Sequence, residues 1–591
     1  MVQILTNHIG YDMNATKTAV FQGTKEQKPE NFSLVCYKTS EIVYTGTPIE
    51  VGEVDNWQTG YYYTIHFDEF KTEGEYYISL VANGKEYRSF PFKIERNLLE
   101  MRTLSSAAYY FKAQRATGEF EAADRKLPFR GEREGFQDVR GGWYDATGDI
   151  GIHLSHLSHT SYFNPQQAGF SAYAFFKFHD LMEESQFPYY TYLKRRILDE
   201  AMYGADFIMR MRAPSGTFFR SKGRQDAFKP LGPLATSRFI SFEYRQPKSR
   251  KGGGVLDGFD EIKDDNYEVS FRSGGGYAIA TLAYAARTVF PSEFSQQEYI
   301  EAAVDAFEYL EKNNERYTND GKWNLVDEYC CLDALVELYK TTRQWDYMRR
   351  AKVMSDRIMD KYIAIDDTMG YLSVNGTERP FFHAADAGMP IVNLLNYYNI
   401  EIDPEQRQKV LDIVTKLMRH ELNVTKEQKN PFGYARQLIQ DGKGNIETRF
   451  FYPHDVETAP WWQGENARLA SLSTAARYMT YHTDNDEFKA ELNKYADDQI
   501  NWILGLNPYD SCMMEGTGRD TNAYFFENRK DFIHCPGGIV NGITGGLKDE
   551  EHGIEFISEP NDEIKDNWRW AEQWIPHATW YMYALTMKKC K

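Results

Sequence analysis

The stretch Asp403-Pro-Glu-Gln-Arg-Gln-Lys-Val-Leu-Asp-Ile-Val-Thr-Lys-Leu417 decides the fold. Val410, Ile413, Val414 and Leu417 fall on one face at helical spacing. Asp403 is a good N-cap, Pro404 suits a first turn, and Glu405 sets negative charge at the positive end of the helix. Leu469, Leu472, Ala476 and Met479 repeat the spacing. About twelve such segments follow one another, starting near Leu98, Gly169, Tyr190, Tyr267, Glu293, Val326, Trp345, Phe382, Pro404, Gly464, Asp486 and Asn567. Helices with long connections, no interleaved strands and no short repeat predict a mainly α fold: a closed double ring of helices. The loops 119–165, 214–265, 422–463 and 507–566 are too long to be mere connectors, and long loops at one end of a ring can build a site. In one of them, Lys248-Ser-Arg-Lys-Gly-Gly-Gly-Val255 is basic and flexible, either a lid or a plain surface loop.

Ahead of the ring the period changes. Phe32–Tyr37, Tyr61–Phe67, Glu75–Val81 and Glu86–Ile94 are rich in β-branched and aromatic residues. Asn83-Gly84 separates the last two, and both residues tolerate the positive φ of a tight hairpin. Residues 1–96 therefore read as a small β-sandwich and 97–591 as the helical domain.

The chain has 591 residues, 42% hydrophobic and 26% charged, an ordinary globular composition. Its net charge of −18 argues against nucleic acid and against an anionic membrane surface as partners. No apolar run approaches the roughly 18 residues that cross a bilayer. Met1–Gly10 lacks a basic region, an apolar core and a cleavage site, so no secretory signal is read and a cytoplasmic location is expected. Six scattered cysteines form no CxxC pair, which predicts reduced, mostly buried thiols. Aromatic residues reach 15%, and flat rings suit sugar faces as well as cores.

Two stretches carry candidate chemistry. In Arg140-Gly-Gly-Trp-Tyr-Asp-Ala-Thr-Gly-Asp149 the glycines permit sharp turns that present Asp145 and Asp149 beside Trp143 and Tyr144. Two acids on one turn can hold and deprotonate a water. They can equally cap backbone N–H groups in an Asp-rich turn. In Asn567-Trp-Arg-Trp-Ala-Glu-Gln-Trp-Ile-Pro-His-Ala-Thr-Trp580, Glu572 lies among Trp568, Trp570 and Trp574. A carboxyl among apolar rings keeps its proton and can donate it; a Glu in such a helix can also be a plain surface acid.

Together these stretches resemble glycoside hydrolase family 9, the inverting family with an (α/α)6 barrel and, in many members, an N-terminal immunoglobulin-like β-sandwich. Asn7-His-Ile-Gly-Tyr11 resembles the opening of that sandwich, and Ala108–Arg115 the first barrel helix. Gly141-Gly-Trp-Tyr-Asp145 through Asp149 resembles the family's Gly-Gly-Trp-x-Asp-Ala-Gly-Asp. Tyr203-Gly-Ala-Asp206 resembles its Trp-Gly-Ala-Asp, and Trp502-Ile-Leu-Gly-Leu-Asn-Pro508 its Tyr-x-Leu-Gly-x-Asn-Pro. Glu572 falls where the family's catalytic Glu lies, in a final helix. The resemblance implies Asp149 as general base, Asp145 as a second holder of the water and Glu572 as general acid. Inversion would set acid and base about 6.5–9.5 Å apart. The family spaces its two aspartates by three; here they are four apart, which leaves open which is the base. No cofactor is implied.

Substrate residues implied by the same resemblance are Trp143, Tyr144, Trp568, Trp574 and, in Trp461-Trp-Gln-Gly-Glu-Asn466, Trp461, Glu465 and Asn466. The family's Trp-Gly-Ser-Asn has Ser where Glu465 stands. A carboxylate there would suit the cationic amine of glucosamine, or complement a helix dipole. The His-His-Arg run of cellulose-cleaving members is missing. The run from Gly141 through His153-Leu-Ser-His-Leu-Ser-His159 and Asn164-Pro-Gln-Gln167 resembles the cytoplasmic exo-β-D-glucosaminidases of marine chitin-using bacteria. The expectation is an inverting exo-hydrolase releasing glucosamine from the non-reducing end of short chitosan oligomers. The alternatives are a β-glucosidase or endoglucanase of the same family and a non-catalytic sugar-binding protein. The three histidines of the His-x-x-His-x-x-His run read as packing or hydrogen-bonding residues rather than a metal site, and no phosphate loop, GxSxG elbow or Cys–His signature appears.

Overall fold

The structure is a computed structural model that describes residues 2–147, 153–155, 166–185, 187–224, 238–241, 267–318, 320–453, 463–529, 534–546 and 553–588. Ten strands open the chain: β1 Gln3–Leu5, β2 Gly10–Asp12, β3 Thr18–Gly23, β4 Pro29–Cys36, β5 Ile42–Gly46, β6 Ile49–Glu53, β7 Tyr61–His66, β8 Gly74–Ala82, β9 Lys85–Arg88 and β10 Phe92–Glu95. One sheet runs β1-β3-β7-β6 and the other β2-β10-β8-β4-β5, with β9 paired to β8. Phe21, Ile65 and Phe67 meet Leu34, Ile78 and Ile94 between them. Asn83 and Gly84 take φ 50° and 72° and close the β8–β9 hairpin with Ala82 opposite Lys85.

The helices are α1 Leu98–Gln114, α2 Glu119–Asp124, α3 Ala168–Glu184, α4 Tyr190–Arg210, α5 Gly276–Ala285, α6 Gln296–Asn313, α7 Leu325–Thr342, α8 Trp345–Met359, α9 Met389–Tyr398, α10 Pro404–Lys426, α11 Asn466–Met479, α12 Asp486–Ile503, α13 Trp568–Ala571 and α14 Ile575–Met587. Six of them, α3, α5, α7, α9, α11 and α14, pack in that order, and α14 packs back on α3 to close the ring. Each is backed by an outer helix: α4, α6, α8, α10, α12 and α1. The inner helices are buried almost all round, the pattern of a helix with neighbours on every side. The outer ones bury one face; on α10, Val410, Val414 and Leu417 point inward, and Asp403 caps the Glu405 N–H at 3.1 Å. The chain is thus an N-terminal β-sandwich followed by an (α/α)6 barrel.

The expectation of no strands among the helices fails. Among the described residues, four short antiparallel sheets lie in the loops, including Ser221–Arg224 paired with both His153–Ser155 and Arg238–Ser241, and Gln437–Gln440 paired with Ile446–Arg449. Backbone groups in loops this long must find partners, and pairing with each other satisfies them. The five described cysteines are unpaired, three of them buried.

The sandwich is fastened to the barrel by the motif at its start. Asn7 Oδ1 accepts from the Ile9 N–H at 2.9 Å, while its amide donates to Asn501 at 2.8 Å. Gly10 has φ 117°, and a Cβ there would strike the Lys93 carbonyl at 1.9 Å. His8 hydrogen-bonds Asp510 at 2.9 Å and sits against Gly505, where a Cβ would lie 2.3 Å from its ring. Trp57 inserts among Phe432, Phe450, Phe451 and Trp502 of the barrel. Among the described residues, no helix is long and apolar enough to cross a membrane.

Candidate active site

Two turns from opposite ends of the chain meet at one mouth of the ring. The first is Val139–Thr147. Gly141 and Gly142 take φ 91° and 77°, and a Cβ on Gly142 would meet the Phe207 ring at 2.9 Å. The turn is lashed to the end of α1: Tyr144 N–H donates to the Gln114 carbonyl at 2.8 Å and Ala116 N–H to the Gly142 carbonyl at 2.9 Å. Behind it stands a fully buried charge cluster. Lys222 Nζ donates to Asp124 at 2.6 Å, to the Gly141 carbonyl at 2.9 Å and to the Val139 carbonyl. Arg238 grips the same Asp124 with two N–H groups, at 2.7 and 2.8 Å. Burial pushes the Lys222 ammonium down, to about 8, against the pull of Asp124. Near the end of the turn stands Asp145, only 2% exposed, whose Oδ2 accepts from Gln167 Nε2 at 3.4 Å.

The second turn is Glu572–Trp574, between α13 and α14. Glu572 is extended, with φ −66° and ψ 129°. The resemblance placed it inside the final helix; instead the chain straightens between the two helices because this stretch pairs on both sides. On one side, Ile575 N–H donates to the Asp145 carbonyl at 2.9 Å and Thr147 N–H to the Gln573 carbonyl at 2.9 Å. Thr147 Oγ1 adds a bond to Gln573 Oε1 at 2.7 Å, across 426 positions of sequence. On the other side, Asn541 N–H donates to the Glu572 carbonyl at 2.8 Å. Antiparallel bridges continue outward, Val540 to Gln573, Met514 to Ile539 and Cys512 to Leu504. A ladder of single bridges thus runs from the end of α12 to the Asp145 turn, with Glu572 within it.

Glu572 keeps part of its surface open. Its carboxyl is pushed up to about 8, first by burial and then by the negative charge of Asp145; the Asn541 amide, 3.5 Å away, opposes this. A carboxylic acid holding its proton near neutral pH, facing a turn that carries a carboxylate, is an acid–base pair of the kind that glycoside hydrolysis uses.

The other expected site residues divide. Trp143 is a correction: it is fully buried, wedged between Phe111, Phe175 and Tyr203, and donates Nε1–H to Glu200 at 3.0 Å. Gly204 makes room for it, since a Cβ there would lie 2.5 Å from the indole. Its place is beneath the turn, which it supports. Tyr144 is likewise buried, packed edge-on to Phe120. Glu465 is the second correction. It is the N-cap residue of α11, yet its side chain caps nothing. Its carboxylate pairs with the Arg468 guanidinium, accepts from the Tyr452 N–H at 2.7 Å and from Gln437 Nε2 at 3.2 Å, and is buried. Its carboxylate is thus held by partners within the protein. Asn466 is buried too and donates to the Val540 carbonyl at 2.8 Å. Trp568 and Trp574 flank Glu572; Trp568 is part exposed under Arg569, and Trp574 packs edge-on to His577. Asp149, Trp461, His156, His159 and Lys248–Val255 lie outside the described residues. His153 opens the strand His153–Ser155, and no group of three metal-ligating side chains occurs among the described residues.

Several residues that shape the site carried no sequence signal. Lys222, Asp124 and Arg238 are single charges in long loops, and Asn541, Gln573 and His577 are single polar residues. Only the Asn541-Gly542 pair, a turn signal, hinted at any of them.

Comparison with known proteins agrees with this architecture. A model of the cellulase N-terminal Ig-like domain matches residues 2–85, and the model of glycosyl hydrolase family 9 matches residues 101–529, stopping short of Glu572. No curated protein sequence matches the chain. Among solved structures, a metagenome-derived glycoside hydrolase family 9 endoglucanase superposes with a TM-score of 0.64 at 16% identity, covering 99% of this chain and 98% of that one. A family 9 structure from Bacteroides ovatus gives 0.64 at 17% identity, covering 99% and 98%. A thermostable endoglucanase from Alicyclobacillus acidocaldarius gives 0.64 at 16%, covering 99% of each chain. The chain belongs to glycosyl hydrolase family 9.

Proposed function

We propose that the chain is an inverting glycosidase in which Glu572 protonates the leaving oxygen and the Asp145–Asp149 turn holds and deprotonates the attacking water. The observation that carries this reading is the raised carboxyl of Glu572, tied by backbone hydrogen bonds to the Asp145 turn. In the reaction the Glu572 O–H gives its proton to the glycosidic oxygen and the C1–O bond breaks. Water attacks C1 from the opposite face and loses a proton to an aspartate of the turn. The released sugar has the opposite anomeric configuration. Within this pair, Asp149 as the base comes from the sequence motif alone.

For the sugar, we infer β-1,4-linked glucosamine, removed singly from the non-reducing end. Support comes from the missing His-His-Arg run, from the stretch ending at Gln167, which reaches Asp145, and from the net charge of −18, which draws a cationic oligomer. Glu465 adds nothing to this choice, being spent on Arg468. A rival reading, cleavage of cello-oligosaccharides, draws on the endoglucanases that share the fold.

Incubation with the glucosamine dimer and with cellobiose, followed by product analysis, separates them. Turnover of cellobiose with none of the amino sugar rejects the glucosamine reading. Glu572→Gln should lower kcat by about 10³-fold or more while leaving oligosaccharide binding intact, since positioned proton transfer contributes about 10²–10⁴-fold. A wild type that binds and never hydrolyses any β-1,4 dimer or tetramer supports a sugar-binding protein instead. The kcat profile should fall on its alkaline side near pH 8, where Glu572 gives up its proton.

A further inference from the structure

His577 and Asn541 form a chain of hydrogen bonds that ends on Glu572, and its direction is fixed by groups that can act in one way only. Ala467 N–H, a donor, lies 2.8 Å from His577 Nδ1. Nδ1 must therefore accept, which puts the ring proton on Nε2. That N–H lies 2.8 Å from Asn541 Oδ1, which also receives Gln463 Nε2 at 3.3 Å. The Asn541 NH2 is then turned the other way, where the Trp568 carbonyl, an acceptor only, takes one hydrogen at 2.8 Å. The second points at Glu572 Oε2. Every bond in the series agrees with one tautomer and one amide orientation.

From this geometry, and resting on the assignment of Glu572 as the acid, we propose that His577 is a positioning residue that acts through Asn541 to hold the Glu572 carboxyl and ease release of its proton. A donor beside a carboxyl favours the ionised form. Burial and Asp145 hold the proton on, and the relay loosens it, so that the acid both keeps and gives it in the working range. His577 suits the task because it stays neutral: it is fully buried, and burial pushes its imidazole down to about 3. A protonated ring would lose the acceptor for Ala467 N–H. Among the described residues, the titratable groups facing Glu572 from its surroundings are Asp145 on the first turn, Tyr110 of α1, whose hydroxyl feels both carboxyl charges, and His534, which bonds the neighbouring Ala571 carbonyl at 2.7 Å. None of them belongs to the relay.

The test follows the protonated-carboxyl band of Glu572 by difference infrared spectroscopy across pH, the band being assigned by its loss in Glu572→Gln. Asn541→Ala should raise the titration midpoint by about one pH unit, the scale of one lost charge-assisted hydrogen bond. His577→Phe should raise it equally, and the double variant no further. His577→Gln, which keeps a donor and an acceptor and spares the fold if Phe does not, should return part of the shift. On whichever dimer the wild type cleaves, these variants should lower kcat and leave KM within about twofold, with the alkaline limb moving as the infrared midpoint moves. An unmoved midpoint in Asn541→Ala, or shifts that add in the double variant, overturns the relay. If Glu572→Gln still hydrolyses, the acid assignment falls instead, and the infrared midpoints continue to judge the relay on their own.

Discussion

The two turns that make the site are held by opposite means. The Asp145 turn rests on full charges: Lys222 and Arg238 close on Asp124 in direct, fully buried ion pairs. The Glu572 turn rests on neutral groups: two amides, an uncharged imidazole and backbone N–H donors. The difference has a chemical reason. A cation beside Glu572 would stabilise its carboxylate and strip the proton that the proposed reaction needs. The Asp145 turn carries no such restriction, because its cations sit behind the backbone, where Lys222 binds its carbonyls and Arg238 binds Asp124.

The largest effect that can break this contrast is Asp124→Ala. It leaves Lys222 and Arg238 buried without their shared counter-charge, and should cost about 3–5 kcal/mol in urea unfolding. A loss below about 1 kcal/mol would mean that the charges do not hold the turn. Glu572→Gln should do the reverse and stabilise the protein. The folded carboxyl titrates at about 8 and the unfolded one at about 4.5, so the folded state keeps a proton that the unfolded state releases. The stability of the natural chain is therefore present below the lower value and drains away as pH rises toward the upper one. Glutamine has nothing to titrate. Melting curves should show it more stable by about 3 kcal/mol at pH 7 and unchanged at pH 4. Equal stability at both would mean that Glu572 titrates normally. The smallest effect sharpens the seam between the turns: Thr147→Val removes the hydroxyl that donates to Gln573 Oε1 and should cost about 1 kcal/mol, since Gln573 keeps the Cys535 N–H.

Local signals read well from sequence, and contacts across hundreds of positions did not. Asn83-Gly84 fixed its hairpin and Asp403 its cap because both act within a few residues. The helical segments were legible because one buried face marks each of them. Trp143 was misread because an aromatic beside a catalytic motif looks the same whether it faces a sugar or, through Gly204, the core. Glu465 was misread because its partner Arg468, though three residues away, pairs with it only where both are buried. Glu572 was expected in a helix because nothing in Trp568–Trp580 shows that residues near 146 and 541 will pair with it and pull it straight. The pairing of the two turns followed from motif resemblance alone, since no spacing spans 426 residues.

The closure of the ring by α14 sets a timetable for synthesis. The ribosome makes the sandwich before the Asp145 turn, and both long before Glu572 and the helix that seals the barrel. Until they arrive, the slot between α11 and α3 lies open and its apolar walls are wet. The nascent chain is therefore prone to aggregation while the slot is open, and docking of α14 completes the candidate site in the same event that finishes the core.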